Sequence, residues 1–124
     1  MDLILENPDY DYFLRGADAR QALVNDRRLH ASFLVSPNRL VEGWPVRDVL
    51  AMRPEDLEPA LELGPEVVLL GTGGHQAFPP PAVMAACLQR GIGLEAMTNA
   101  AAARTYTVMA SEERKVVAAF ILPG

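Results

Sequence analysis

The segment from Glu66 to Met97 constrains the fold more than any other part of the chain. Glu66-Val67-Val68-Leu69-Leu70 is an unbroken β-branched and aliphatic run, the pattern of a strand covered on both faces. Gly71-Thr72-Gly73-Gly74 follows it. Pro79-Pro80-Pro81 then opens a helix that runs to about Gln89-Arg90 and closes at Gly91. Ile92 to Met97 is a second apolar run of strand length, expected to be buried on both faces. Strand, helix and strand in this order form a βαβ unit, which requires a parallel pair joined by a right-handed crossover. The fold class is therefore α/β, with a central mixed sheet.

The flanking segments have other rhythms. Residues 1–18 read as an extended N-terminal arm, acidic at Asp2, Glu6, Asp9 and Asp11 and aromatic at Tyr10, Tyr12 and Phe13. Ala22-Leu23-Val24, His30 to Val35 and Arg39 to Glu42 read as a small antiparallel meander, punctuated by Asn25-Asp26 and Ser36-Pro37-Asn38. Trp44-Pro45-Val46 leads out of it and should pack over the core edge. Arg53-Pro54-Glu55-Asp56-Leu57 has the proline and acids of a helix start, with Leu57, Leu61 and Leu63 as its apolar stripe. Thr98 can cap a short helix from Asn99 to about Arg104, and residues 114–122 supply a last strand.

Composition bounds the rest. The 124 residues are 50% hydrophobic and 22% charged with net charge −5, values of one ordinary globular domain, residues 1–124. The negative balance argues against a nucleic-acid partner. One cysteine excludes an internal disulfide framework. No apolar run reaches the 18–20 residues a membrane span needs. Met1-Asp2-Leu3 lacks the basic-then-apolar pattern of a signal or transit peptide, so a soluble, cytoplasmic, prokaryotic protein is expected.

Three groups of residues could carry chemistry. The loop Gly71-Thr72-Gly73-Gly74 leaves the carboxyl end of a buried strand, where ligands of open α/β sheets bind and where glycine amides can approach an anion. The dinucleotide fingerprint fails, because Gln76 replaces its third glycine and three prolines delay the helix. The loop is thus either a site for an anion or small polar ligand or a structural turn. Glu95 would be a carboxylate in a covered strand, needing a partner such as Arg104. Otherwise it is a functional acid in a crevice, or it is exposed at a sheet edge. Thr98-Asn99 begins a helix at the same edge, as an anion site or as a simple cap. Arg104 could fork onto a ligand carboxylate or phosphate. Cys87 reads as a small core residue. Ala77-Phe78 with the three prolines makes a rigid apolar loop suited to an interaction surface. No metal set, GxSxG, HExxH or P-loop lysine is present, which argues against an enzyme, and no cofactor is expected.

The segments Leu70-Gly71-Thr72-Gly73, Gly91-Ile92-Gly93-Leu94-Glu95-Ala96-Met97 and Ala100-Ala101-Ala102-Ala103-Arg104-Thr105-Tyr106 resemble a known domain-of-unknown-function family. Its eukaryotic members include a mitochondrial assembly factor for respiratory complex I and an adipogenesis-associated protein. The resemblance runs from about Leu23 to Ile121. It implies a three-layer α/β domain without established enzymatic activity or cofactor. It also implies that Gly71, Thr72, Gly73, Glu95, Arg104, Thr105 and Tyr106 match the family signature. Thr98-Asn99 stands where many relatives carry an Asp, Ser or Thr pair.

Two functions are consistent with these readings. One is a protein-interaction or assembly-factor-like module with a protein partner, by resemblance. The other is a domain binding a small molecule or anion in the crevice between Gly71–Gly74 and Thr98–Arg104, with Glu95, Asn99, Thr105 and Tyr106 nearby. A homodimer through a sheet edge or the arm is compatible with the sequence, and nothing in it demands one.

Overall fold

The computed structural model describes residues 10–124; the first nine residues of the expected arm lie outside them. The elements in chain order are β1 (Leu14–Ala17), β2 (Ala22–Val24), β3 (Arg27–Leu29), β4 (Ala31–Ser36), β5 (Arg39–Glu42), α1 (Glu58–Leu61), β6 (Val67–Gly71), α2 (Pro81–Gln89), β7 (Gly93–Met97), α3 (Asn99–Ser111) and β8 (Val116–Pro123). Five strands form one mixed sheet in the order β5-β4-β8-β6-β7. Its parallel half, β8-β6-β7, contains the expected βαβ unit. Its antiparallel half is the β4-β5 hairpin laid against β8.

Alternation along these strands divides the interior into two cores. On one side Phe33, Val35, Val67, Leu69, Ala118 and Phe120 pack against α3 and the small sheet. On the other, Leu34, Val68, Leu70, Val117 and Ala119 pack against Trp44, Leu57, Leu61, Val83 and Cys87. The result is a three-layer α/β arrangement with both faces of the central sheet covered. Trp44 is buried at the core edge, and its indole N–H donates to the Asp56 carbonyl at 2.8 Å. Cys87 is a buried core residue whose thiol pKa is pushed up by desolvation.

Five expectations change. The three-strand meander is split between sheets: β2 pairs with β1 and β3, while β4 and β5 belong to the large sheet. Leu14–Ala17, placed in the arm, is thus a paired strand. The apolar stripe at Leu57 and Leu61 is buried as expected, but Pro59 confines the helix to a 3-10 turn, Pro54–Leu57, and the single turn α1. Strand β7 is an edge strand with Gly93 and Glu95 exposed, because α3 packs on β6 and β8 rather than over it. Helix α3 continues to Ser111, well past Arg104, because Tyr106 and Ala110 are drawn into the core.

Candidate functional site

The carboxyl ends of β6 and β7 bring Gly71–Gly74 and Thr98-Asn99 together, as the topology requires. What fills the space between them is a side chain. Asn99 is fully buried. Its Oδ1 accepts from the Gly73 N–H at 3.1 Å, and its Nδ2 donates to the carbonyls of Asp18 at 2.9 Å and Ile121 at 3.0 Å. The Asn99 N–H in turn donates to the Gly73 carbonyl at 2.8 Å. One carboxamide therefore ties the glycine loop, the last strand and the segment after β1 into one unit.

The glycines serve this arrangement. A Cβ on Gly71 would collide with Asn99 Oδ1 and lie 3.0 Å from the Phe120 ring, so only glycine lets the carboxamide enter. Gly73 holds φ at +98°, a backbone region that side chains rarely adopt. The side chains of Thr72 and Gln76 are also committed internally. Thr72 Oγ1 donates to the His75 carbonyl at 2.6 Å and accepts from the Ala77 N–H at 3.2 Å. Gln76, the residue that breaks the dinucleotide fingerprint, reaches across to donate to the Ala96 carbonyl at 2.9 Å. Gly74 closes the loop against Ala19.

The other candidates are dispersed. Thr98 caps α3 by accepting from the Ala101 N–H at 3.2 Å. Glu95 is exposed on β7 and forms no ion pair with Arg104, since the two point from different elements into solvent. Thr105 donates back to the Ala101 carbonyl within α3. Tyr106 is fully buried; its hydroxyl donates to the Tyr12 carbonyl at 2.6 Å, and Tyr10 meets its ring edge-on at 6.4 Å. Among the described residues, no buried side-chain polar atom lacks a hydrogen-bond partner.

Burial raises the Tyr106 phenol far above its ordinary value, and this carries a pH dependence. The unfolded phenol ionises near pH 10, while the folded one stays protonated. Stability conferred by this group is therefore intact below pH ~10 and declines above it, by up to about 1.4 kcal/mol per pH unit. We expect Tyr106→Phe to cost about 1–2 kcal/mol at neutral pH, through the lost bond to Tyr12, and to flatten the alkaline decline. Denaturant titrations at neutral and alkaline pH check both.

Arg104 faces a different space from the one the sequence assigned it. It lines a recess of about 430 Å³ between β1 and α3. A larger recess of about 800 Å³ lies at the other end of the sheet, between Ser36, Leu63, Ala110, Arg114 and Lys115. Neither includes the glycine loop. The β1 wall of the smaller recess was invisible because β1 carries no strand signal in the sequence.

These elements correspond to a described family. The family model "Protein of unknown function (DUF498/DUF598)" matches residues 14–121, from the first residue of β1 to within β8. This chain belongs to the DUF498 family. The NMR structure of a Xanthomonas campestris protein is 56% identical to this DUF498 chain, with a TM-score of 0.85 over 100% of this chain and 94% of that one. The solution structure of a Bordetella pertussis protein, described as an Mth938-like domain, is 28% identical, with a TM-score of 0.83 over 100% and 94% of the two chains. A Francisella tularensis protein named "13 kDa major membrane protein" is 28% identical over 71 residues, 57% of this chain and 58% of its own length. The chain thus spans under two-thirds of that curated relative. No helix among the described residues is long and apolar enough to cross a membrane.

Proposed function

We propose that this DUF498 domain is a protein-interaction module of the assembly-factor type, and that its partner docks on the outward side of α2 and the loop before it. The observation that carries this reading is the composition of that surface. Helix α2, Pro81–Gln89, contains no charged residue, yet only Val83 and Cys87 are buried. Ala82, Ala85 and Leu88 face solvent, Leu88 at 78% exposure, and Phe78 in the preceding loop is 61% exposed. A surface helix normally carries charge on its outer side. An apolar exposed face of this kind is characteristic of a surface that another molecule covers. Pro79-Pro80-Pro81 stiffens the approach, which lowers the ordering cost of docking.

Two further considerations support the reading. The Gly73 N–H and the Thr72 and Gln76 side chains of the glycine loop are occupied by internal bonds, which leaves that crevice less to offer a ligand. The family resemblance includes an assembly factor, and the name of the Francisella relative directs the search for a partner toward membrane-associated complexes.

Site-specific photo-crosslinking in living cells tests it. A photoreactive residue at position 88 or 78 should give the same discrete adduct, and one at position 114, on the far end of the sheet, should not. Leu88→Glu should abolish the adduct formed from position 78 while shifting the melting temperature little. An adduct of twice the chain mass would replace this reading with self-association through α2. Equal labelling from all three positions would sink it.

A further inference from the structure

Strand β7 ends one side of the large sheet, and its outer edge carries backbone groups that the described residues leave unbonded. In a parallel ladder, alternate residues bond to the same neighbouring strand. The Gly93 N–H donates to the Glu66 carbonyl at 3.1 Å, and the Met97 carbonyl accepts from the Thr72 N–H at 2.8 Å. Gly93, Glu95 and Met97 thus bond inward to β6, while Leu94 and Ala96 present their N–H and C=O groups outward. Of these outward groups, only the Ala96 carbonyl has a partner among the described residues, the Gln76 Nε2 at 2.9 Å. The Leu94 N–H, the Leu94 carbonyl and the Ala96 N–H stay open. Sheet edges are ordinarily closed by proline, lysine, a bulge or a covering segment. Strand β7 contains neither proline nor lysine, and its register with β6 runs without a bulge.

We infer that the β7 edge takes up an extended segment of a partner protein as an added strand, parallel to β7 and with a basic residue beside Glu95. The open groups set the direction. In a parallel partner, one residue donates its N–H to the Leu94 carbonyl and accepts from the Ala96 N–H, and the residue two before it accepts from the Leu94 N–H. An antiparallel partner would set one residue across from Ala96, with its N–H facing the carbonyl that Gln76 already holds. The side chains set the sequence. Leu94 packs toward the α2 core, so alternation puts Glu95 on the opposite face. Glu95 is exposed and forms no ion pair among the described residues. The partner residue bracketed by Leu94 and Ala96 shows its side chain on the Glu95 face, where Lys or Arg complements the carboxylate. Its two neighbours turn to the Leu94 side, where β-branched apolar side chains fit. The recognised segment therefore reads apolar, basic, apolar. Main-chain bonds supply the affinity, and the basic residue supplies the choice of partner. The edge uses no side chain of α2, so this inference goes beyond the α2 interface and does not depend on it.

Two pentapeptides of sequence TVRVT and TVEVT, acetylated and amidated, serve as probes. Each is titrated into labelled protein and followed by amide resonances. Saturating shifts should centre on the Leu94 and Ala96 amides and exceed the shift at Glu95, whose amide bonds inward. TVRVT should bind about two- to fivefold more tightly than TVEVT, the scale of one exposed ion pair. Glu95→Lys, a change at an exposed position, should reverse that order. N-methylation of the central Arg removes the N–H that meets the Leu94 carbonyl and should abolish binding. N-methylation of the preceding Val, whose N–H points away from β7, should be tolerated. A nitroxide at the peptide's C-terminal end should broaden Met97 and Thr98 rather than Gly91 and Ile92. Leu88→Glu should leave the titration unchanged, which separates this edge from the α2 face. The assignment is overturned by the absence of saturating shifts at Leu94 and Ala96 with either peptide, by equal affinity of the two peptides, by undiminished binding of the peptide methylated at Arg, or by broadening at Gly91 and Ile92.

Discussion

Asn99→Leu should lower stability by about 3–5 kcal/mol, the summed cost of leaving the Gly73 N–H and the Ile121 and Asp18 carbonyls without their partner. Domains of this size hold only about 5–15 kcal/mol, so the melting midpoint should fall by roughly 10–20 °C. Leucine keeps the branching of asparagine but is larger, so the loss combines the missing hydrogen bonds with crowding at a fully buried site. Asn99→Asp gives a second reading of the same brace. The new carboxylate could still accept from Gly73, but it would face two carbonyl oxygens where the amide donated. Its folded pKa would therefore be raised, and stability would be greatest below the ordinary carboxyl range and fall as pH rises through the folded value. Urea unfolding across pH measures both variants. A change below about 0.5 kcal/mol for Asn99→Leu would mean the carboxamide is not a structural brace. It would return the glycine loop to consideration as a ligand site.

The brace also explains which parts of the molecule could be read from sequence. The run Val67–Leu70, the proline-opened helix and the cap at Thr98 announce themselves through local chemistry, and each is found where expected. The loop after β6 looks like a binding loop for the same local reasons. Glycines permit close approach by a ligand or by the protein's own side chain, and composition does not distinguish the two. Only the tertiary position of Asn99 decides. Strands β1 and β3 were hidden because Leu14-Arg15-Gly16-Ala17 and Arg27-Arg28-Leu29 are short and charged. Strand β7 differs from expectation for the opposite reason, and the exposed reading of Glu95 is the one that holds. Ile92 to Met97 is apolar enough to suggest a doubly covered strand, but coverage depends on where α3 lies. The recess that Arg104 lines was hidden together with β1, which supplies one of its walls.

Phe120→Ala should be as damaging as the loss of the brace, at about 3–5 kcal/mol. Phe120 lies in β8, the middle strand of the large sheet, and is fully buried. Its ring stacks on Phe33 of β4 with centroids 5.0 Å apart and planes 16° from parallel. In register it stands opposite both Phe33 and Gly71, which places it directly beneath the glycine loop. Removing the ring therefore opens a cavity between the two halves of the sheet and under the loop that Asn99 holds. Rigid strands on both sides limit collapse, which argues for the upper part of the range. Phe33→Ala should cost a similar amount, and the double substitution less than the sum, because the two rings share one contact. Hydrogen exchange at the Gly73 amide discriminates the mechanism. In Phe120→Ala that amide should exchange faster in proportion to the global loss if the loop and core open together. Faster exchange than the global loss allows would show that the loop opens separately once its support is gone. A stability loss under about 2 kcal/mol would mean the sheet closes over the missing ring, contrary to a rigid stack joining the core to the loop.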